Sequence, residues 1–271
     1  MGASEIVYCR DPEDLARQTA DLLAAYCRHR MEETDGPVSC ALTGGRTPVR
    51  TYQLLAGPDF QSRIPWERVT HFLGDERYVS HEDSRSNYGM ISRHLLTGLI
   101  PKDRVIPVPV HLENPREAAD AYASELRRQF RVPVGFWPRF DLILLGLGED
   151  GHTASLFPGS PALKEETRWV VSLRRETEDF HRISLTFPII NRARRIVVLV
   201  SGKEKAAILR KVLLGPRNID RFPAQGIRPV DGAVQWLVDQ EAASLLAVES
   251  LQAAGFTLRS MSGLERQRKT S

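Results

Sequence analysis

Short runs rich in Val, Ile and Leu recur along this 271-residue chain, and longer segments with helical periodicity separate them. Such alternation predicts parallel strands connected by helices. The runs at 140–147 and 195–200 are almost continuously apolar, which is typical of strands covered on both faces. We therefore expect an α/β fold of three layers (α/β/α), with an open, mostly parallel sheet in the middle. The predicted strands are 6–9, 38–42, 69–73, 140–147, 195–200 and 234–238.

Two predicted helices have clear start signals. The helix at 12–33 follows Asp11-Pro12, and in the helix at 114–130 Asn114 can cap and Pro115 can occupy the first turn. The segment 131–138 is the best linker candidate, but a strong strand follows it directly. We predict one domain over residues 1–250 and a basic, partly disordered extension over 251–271, because its last dozen residues lack apolar periodicity.

Composition excludes several classes of protein. With 42% hydrophobic and 26% charged residues the chain can bury a large core, and a net charge of +3 is too small to indicate nucleic-acid binding. No apolar run approaches the roughly 18 residues that cross a bilayer, and the amino-terminal segment turns acidic too early for a signal peptide. Cys9, Cys27 and Cys40 lack metal-ligand or redox spacing. We expect a cytoplasmic protein with reduced thiols that binds neither nucleic acid nor membranes.

In an open parallel sheet, ligands bind beyond the carboxyl ends of the strands, so the segments after the apolar runs carry the candidate chemistry. The first is Thr43-Gly44-Gly45-Arg46-Thr47-Pro48. Its glycines allow backbone N–H groups to point inward, and Pro48 can open a helix whose amino end attracts an anion. The pattern favours a phosphate cradle over a plain strand-to-helix turn, and it lacks the Gly-Lys-Ser/Thr ending of a P-loop.

The second segment, Gly74-Asp75-Glu76-Arg77, places two carboxylates and a guanidinium in a loop after a strand. Their joint desolvation is costly unless they pair with each other or with a ligand. Asp75 and Arg77 are therefore candidate binding residues, with a structural ion pair or solvated charges as the alternatives. Ser86-Asn87 follows, and we favour helix capping over ligand contact for these two residues.

The third segment, 146–159, follows the most hydrophobic strand and contains a formal G-x-G-x-x-G. A dinucleotide site needs a helix next, whereas Pro158 and Pro161 interrupt this segment. We therefore favour a glycine-rich loop that presents Asp150 beside His152, because a carboxylate can orient an imidazole for proton transfer. A histidine that is merely hydrogen-bonded is the alternative. His181 competes for the role but has a cation as its neighbour and no orienting acid.

The fourth element combines Arg182, on an alternating strand, with Lys205, where a helix starts after the strand at 195–200. Arginine can hold phosphate oxygens through two parallel N–H bonds, and lysine adds a point charge. Solvated or ion-paired cations are the alternative for both residues.

Together these segments resemble the 6-phosphogluconolactonase family over about residues 5–248. The resemblance rests on Gly44-Gly45-x-Thr47-Pro48, on Asp75-Glu76-Arg77 with a later Ser86-Asn87, on the ten-residue block from Asp150 to Gly159, on Gly202-x-x-Lys205 and on Trp236-x-x-Asp239. The block Asp-Gly-His-Thr-Ala-Ser-Leu-Phe-Pro-Gly is the most specific of these patterns. The chain departs from the family only in small ways, such as Arg46 where many members have Ser, and the basic extension.

The resemblance implies a fold shared with sugar-phosphate isomerases and hexosamine-phosphate deaminases. It implies hydrolysis of 6-phospho-D-glucono-1,5-lactone to 6-phosphogluconate in the oxidative pentose phosphate pathway, without metal or cofactor, by a monomer or small homo-oligomer. His152 then resembles the general base and acid, with Asp150 beside it. The residues that resemble substrate and phosphate contacts are Thr43, Gly44, Gly45, Arg46, Thr47, Asp75, Arg77, Arg182 and Lys205.

Two other functions stay open on the same fold. A hexosamine-6-phosphate deaminase resembles this chain, but its block carries an acid where this sequence has Phe157. A sugar-phosphate sensor without catalysis would keep the phosphate site and lose the proton chemistry. The intact pair of Asp150 and His152 favours an enzyme over a sensor.

Overall fold

An eight-stranded sheet, parallel throughout, forms the centre of the molecule in a computed structural model that describes residues 4–259. Its strands are β1 Ser4–Cys9, β2 Val38–Leu42, β3 Val69–Leu73, β5 Val105–Ile106, β6 Leu142–Gly146, β9 Arg195–Val200, β10 Ala233–Asp239 and β11 Thr257–Arg259. Every residue of β2 and β3 is buried, as expected for strands covered on both faces. The predicted α/β class with a mostly parallel sheet is confirmed.

The strand order, β11-β1-β10-β9-β6-β2-β3-β5, contains one reversal. From β2 the chain moves outward through β3 to β5, and it then returns to β6 on the other side of β2 and continues through β9 to β10. The connections after β2 and after β6 therefore lead away from each other. Such a switch point opens a crevice at the carboxyl ends of the strands, where ligands bind in this class of fold.

Eight α-helices connect the strands of the described chain, and the two with predicted start signals lie where they were expected. They are α1 Pro12–Glu33, α2 Val49–Ala56, α3 Pro58–Gln61, α4 Asn87–His94, α5 Pro115–Phe130, α6 Phe187–Ile190, α7 Ala206–Leu214 and α8 Val248–Ala253. The Asp11 carboxylate caps α1 by accepting a hydrogen bond from the N–H of Asp14, and Asn114 caps α5 through the N–H of Arg116. These caps confirm the helix starts that the sequence predicts.

Two buried tyrosines form hydrogen bonds with peptide groups at the carboxyl ends of β2 and β3. The Tyr52 hydroxyl of α2 donates to the carbonyl oxygen of Thr43 at 2.7 Å and accepts from its N–H at 3.1 Å. Tyr122 of α5 makes the same pair of bonds with Leu73, at 3.0 and 2.9 Å. Peptide groups beyond the strand pairing would otherwise be buried without partners, which costs free energy. The helices thereby fix where the loops after β2 and β3 begin.

A second, antiparallel sheet of three strands was not expected from the sequence. It contains β4 Asp75–Arg77, β7 Val170–Arg174 and β8 His181–Leu185, in the order β4-β8-β7. The prediction of a loop at 75–77 is therefore wrong. Only three residues pair there, and their partner strand lies about a hundred residues later, so no local pattern marks them.

The boundary drawn at residue 250 is also wrong, because α8 crosses it and β11 then pairs with β1. Leu251 is fully buried in this segment, so the sheet domain continues to residue 259. The rest of the predicted extension, 260–271, lies outside the described residues. Residues 131–138 connect α5 to β6. None of the described helices is long and apolar enough to span a membrane.

Candidate functional site

Four neighbouring strands of the sheet, β9, β6, β2 and β3, deliver the four segments that the sequence singled out. Each segment begins at the carboxyl end of its strand, on both sides of the switch point between β2 and β6. The segments line one cavity of about 790 Å³. Its lining includes Thr43, Gly44, Gly45, Arg46, Thr47, Asp75, Arg77, His152, Arg182 and Lys205. Of the predicted site residues, only Asp150 lies behind this lining, against His152.

The loop after β2 passes so close to α4 that its first glycine has no room for a side chain. A Cβ atom on Gly44 would lie 1.8 Å from Oδ1 of Asn87. Arg46 is exposed at the cavity, and Pro48 immediately precedes α2. The segment combines an exposed guanidinium with the amino end of a helix, which suits an anionic group of a ligand.

The two carboxylates after β3 have separate environments. Glu76 is fully buried and accepts hydrogen bonds from the N–H groups of Arg77, Asn87 and Tyr88, each at 2.7 Å. Burial raises the pKa of Glu76, although these hydrogen bonds oppose the rise. Its hydrogen-bond donors are the Arg77 N–H and groups of Ser86, Asn87 and Tyr88 at the start of α4. Glu76 therefore has a structural role and leaves Asp75 to face the cavity.

Asp75 is held from two sides. Its Oδ2 accepts a hydrogen bond from the Ser155 hydroxyl at 2.6 Å, and its Oδ1 accepts from the Asn87 amide at 3.2 Å. The same amide donates to the Asp75 carbonyl oxygen at 2.9 Å, while Ser86 caps α4. The capping expected for Ser86 is confirmed. Asn87 is not the cap: it is the first residue of α4, lines the cavity and holds Asp75.

The antiparallel sheet brings two arginines side by side. Arg77 of β4 lies directly opposite Arg182 of β8, an arrangement that is unfavourable without a counter-charge. Glu178 supplies this charge: its carboxylate accepts two hydrogen bonds from Arg182, at 2.5 and 2.8 Å. Burial raises the pKa of Glu178, but Arg182, Arg175 and Arg77 outweigh this effect and lower it. Arg182 thus lines the cavity, and its guanidinium is already hydrogen-bonded to the carboxylate of Glu178.

The block after β6 positions His152 against Asp150. The distance between Nδ1 of His152 and Oδ1 of Asp150 is 2.5 Å, and the His152 N–H donates to the same oxygen at 3.1 Å. Burial raises the pKa of Asp150, but His152 and then Arg175 outweigh this effect and lower it to about 2. Asp150 is therefore a carboxylate at neutral pH and can accept a hydrogen bond from a protonated Nδ1. That tautomer leaves Nε2 of the histidine free as a base.

Close packing holds the imidazole in place. A Cβ atom on Gly148 would lie 2.0 Å from Nδ1 of His152, so only glycine fits there. The Phe157 ring packs against the imidazole, with ring centroids 4.7 Å apart. The chain forms no helix between β6 and a short 3-10 turn at Pro161–Lys164. A dinucleotide site would need a helix there, and the sequence predicted that this segment would not form one.

Asp239 holds the fourth segment. This buried carboxylate, at the end of β10, accepts hydrogen bonds from the Ser201 hydroxyl at 2.5 Å and from the Gly202 N–H at 3.0 Å. The chain then makes a 3-10 turn, Lys203–Lys205, which continues into α7. Lys205 reaches the cavity, and its Nζ lies 3.8 Å from a carboxylate oxygen of Glu149. At this distance the ion pair is weak, so the ammonium group can also bind an anion.

The remaining candidates are less suited to proton transfer or nucleophilic attack. Burial, followed by the charges of Arg174 and Arg116, lowers the pKa of His181. The direction agrees with the sequence, although the main cause is burial. Burial also raises the pKa of all three cysteine thiols, that of Cys27 to about 12, so none is a thiolate at neutral pH.

The sequence did not identify four residues that shape the site: Asn87, Ser155, Arg175 and Glu178. Ser155 lies inside the ten-residue block, but nothing local indicates that its hydroxyl reaches Asp75. Arg175 and Glu178 lie in the loop between β7 and β8, which carries no recognisable motif. Their positions depend on the antiparallel pairing of β7 and β8, which the loop connects.

The family model of glucosamine-6-phosphate isomerases/6-phosphogluconolactonase matches residues 10–236, which include every strand that lines the site. The chain belongs to this family. The 6-phosphogluconolactonase of Synechocystis is 40% identical over 208 residues, which are 76% of this chain and 84% of that protein. The 6-phosphogluconolactonase structure from Trypanosoma brucei has a TM-score of 0.80 and 30% identity, over 91% of this chain and all of its own.

A monomeric glucosamine-6-phosphate deaminase is similar in fold alone. Its structure gives a TM-score of 0.73 over 89% of this chain and 99% of its own, but the identity is 24%. The same fold therefore occurs in proteins named for both activities. The distinction between them must come from the side chains of the site.

Proposed function

We propose that this chain hydrolyses 6-phospho-D-glucono-1,5-lactone to 6-phosphogluconate, in the oxidative pentose phosphate pathway. The observation that carries the proposal is the hydrogen-bonded pair of Asp150 and His152 at a cavity whose lining also includes the four cations predicted from the sequence. These cations are Arg46, Arg77, Arg182 and Lys205. The names of the similar proteins from Synechocystis and Trypanosoma brucei support the same substrate.

His152 acts as general base and then as general acid in this proposal. Nε2 takes a proton from water, and the water oxygen attacks the carbonyl carbon of the lactone to give a tetrahedral oxyanion. The oxyanion collapses, the bond to the ring oxygen breaks, and His152 returns the proton to that oxygen. Acid-base catalysis by a positioned side chain contributes about 10²- to 10⁴-fold. Asp150 keeps the imidazole in the tautomer that this sequence of steps needs.

The cations and the loop after β2 hold the phosphorylated end of the substrate. Arg182 and Lys205 reach the cavity from β8 and from the start of α7, and Arg46 with Thr43, Gly44, Gly45 and Thr47 lines it from the β2 side. Arg77 adds a further positive charge beside Arg182. A charge-assisted hydrogen bond to phosphate contributes about 1.5–3 kcal/mol, so loss of either Arg182 or Lys205 lowers kcat/KM by roughly one to two orders of magnitude.

Asp75 binds a sugar hydroxyl of the substrate. Hydrogen bonds from Ser155 and Asn87 hold its carboxylate at the cavity, and a fixed carboxylate is a good acceptor for hydroxyl groups. Asp75 also faces the same cavity as His152, which makes it the reserve candidate for a base.

A direct lactonase assay tests the proposal. Freshly generated 6-phosphogluconolactone is required, and spontaneous ring opening must be subtracted because this lactone opens by itself. We expect rapid opening by the native chain and loss of most of the acceleration in His152→Asn, which keeps a hydrogen-bonding side chain but transfers no proton. Near-normal turnover in a folded His152→Asn variant would remove His152 from the mechanism and favour Asp75.

Ammonia release from glucosamine-6-phosphate should be measured on the same preparation. Deamination needs several matched acids and bases around adjacent carbons, whereas the side chain that packs on His152 is the apolar Phe157. We expect no ammonia release above background. Robust release without acceleration of lactone opening would overturn the proposed function.

We further propose that the protein works in the cytoplasm, as a monomer or small homo-oligomer without a nucleic-acid partner. The sequence supports this compartment through its three cysteines, which are buried free thiols in the structure. Cell fractionation and analytical ultracentrifugation test the two statements. Recovery in an oxidising compartment would contradict the first statement, and large assemblies would contradict the second.

A further inference from the structure

The loop between β7 and β8 places one arginine directly behind the proton-transfer pair. Nη2 of Arg175 donates to Oδ2 of Asp150 at 3.0 Å. Its guanidinium carbon lies 5.0 Å from the centroid of the Phe157 ring, within the range of a cation–π contact. Arg175 lies outside the ten-residue block and does not line the cavity. Its contacts are with the groups that hold His152.

The two oxygens of Asp150 have different partners. Oδ1 accepts both hydrogen bonds from His152, and Arg175 is the one partner of Oδ2 among residues 4–259. A carboxylate with one anchored oxygen can rotate about its bond to Cβ, whereas a carboxylate anchored at both oxygens is fixed in its plane. The Arg175 bond therefore sets the direction in which Oδ1 points toward the imidazole.

The same arginine contributes to packing against the imidazole. Phe157 contacts His152 on one side and Arg175 on another, so the three side chains and Asp150 form a closed ring of contacts. A change at Arg175 thus affects both the carboxylate that orients the histidine and the aromatic ring that packs on it. Neither effect requires contact between Arg175 and a substrate.

We propose that Arg175 is a positioning residue, which holds Asp150 and Phe157 so that His152 keeps its proton on Nδ1 and presents Nε2 to the cavity. The catalytic consequence rests on the proposed lactonase function. The structural statement about the imidazole tautomer does not, so it can be tested separately.

Arg175→Met is the decisive variant, because Met keeps a long side chain against Phe157 and removes the hydrogen bond to Asp150. Arg174→Met is the matched control: Arg174 is an exposed neighbour whose Nε contacts the carbonyl oxygen of Glu178 at 3.3 Å. We expect kcat to fall about 10-fold in Arg175→Met with KM changed less than about twofold, since no substrate contact is lost. Arg175→Lys, which can restore a charged donor, should recover part of kcat.

Nitrogen-15 NMR of the His152 ring provides a readout that needs no turnover. The two nitrogen shifts of a neutral imidazole report which nitrogen carries the proton. We expect one tautomer, with the proton on Nδ1, in the native chain and in Arg174→Met, and a mixture of tautomers in Arg175→Met. Unchanged shifts together with unchanged kcat in a folded Arg175→Met variant would overturn the proposal. If the native chain opens no lactone, the proposed function fails, while the tautomer comparison still decides the role of Arg175.

Discussion

At the scale of single residues, several charges at and behind the cavity already have protein partners. Arg182 forms an ion pair with Glu178, and Asp150 forms one with Arg175. Lys205 lies near the carboxylate of Glu149. Such pairs limit the cost of burying a charge before a ligand arrives. A phosphate that binds as proposed must then compete with these protein carboxylates.

Glu178→Gln should strengthen phosphate binding, because the variant removes the carboxylate that occupies Arg182. We expect the Kd for inorganic phosphate and for 6-phosphogluconate to fall about 5- to 10-fold, which is less than the full value of a charge-assisted bond since glutamine still pairs weakly. Isothermal titration calorimetry measures both constants. Asp179→Asn is the control, because Asp179 is an exposed neighbour that pairs with Arg85. Weaker binding in Glu178→Gln would mean that Glu178 orients Arg182 rather than competing for it.

Asp150 links the site to stability at acid pH. Its pKa in the folded chain is about 2, below the ordinary value of 3.8, so its charged form stabilises the fold above about pH 4. This contribution is lost as the pH falls from about 4 toward 2. We expect Asp150→Asn to lower the free energy of unfolding by about 1 kcal/mol at neutral pH, after allowance for solvent screening.

Urea unfolding at a series of pH values measures this effect. The difference between Asp150→Asn and the native chain should shrink as the pH falls below about 4, where the native carboxylate begins to lose its advantage. Glu176→Gln, a change at an exposed acid in the same region, is the control. A difference that is constant across the whole range would indicate lost packing rather than lost charge.

At the scale of secondary-structure elements, strand ends position the site. Asp239, on the last residue of β10, holds the segment between β9 and α7 through Ser201 and Gly202. The segment carries Lys205, three residues beyond Gly202. A carboxylate on one strand thereby fixes the segment that carries Lys205, the lysine proposed to bind phosphate, after the neighbouring strand.

Asp239→Asn should loosen this segment without touching the proton-transfer pair. Asparagine can replace only part of the acceptor capacity of the carboxylate, because one of its two terminal groups is a donor. We expect KM for the phosphorylated lactone to rise about 5-fold, with kcat changed less than twofold. Steady-state kinetics on the phosphorylated lactone checks this, with Asp231→Asn at an exposed ion pair as the control. A fall in kcat at constant KM would contradict a role limited to Lys205.

The sequence predicted the elements that have local signals. The apolar runs located β2, β3, β6 and β9, and the rule that ligands bind beyond parallel strand ends located the four segments that line the cavity. The small antiparallel sheet could not be predicted, because β4 has three residues and pairs with a strand far along the chain. The partners Glu178 and Arg175 depend on that sheet, so they were missed with it.

At the scale of the whole molecule, the chain ends its described part by extending the sheet beyond β1. Helix α8 buries Leu251, and β11 then pairs with β1 in parallel. The site lies after β9, β6, β2 and β3, and β1 and β10 separate these strands from β11. Changes at the β11 edge should therefore alter stability more than catalysis.

Two truncated chains test this separation. A chain that ends at residue 259 keeps β11, whereas a chain that ends at residue 247 loses α8 and β11. We expect the shorter chain to lose at least about 3 kcal/mol of unfolding free energy, since burial of one leucine alone contributes about 1.5–3 kcal/mol. Both chains should keep similar kcat below the Tm of the shorter one. Differential scanning calorimetry and the lactonase assay measure these quantities, and equal stability would contradict the structural role of β11.

Both outer strands of the large sheet are short: β5 has two residues and β11 has three. A long outer strand offers a row of unpaired N–H and C=O groups on which a second molecule can assemble. Because the outer strands are short, they offer few unpaired groups to other copies of the chain. The inner strands keep the length that the site requires. Proteolytic loss of β11 would expose the six residues of β1 as a longer edge, so clipped molecules should aggregate even where each one still folds.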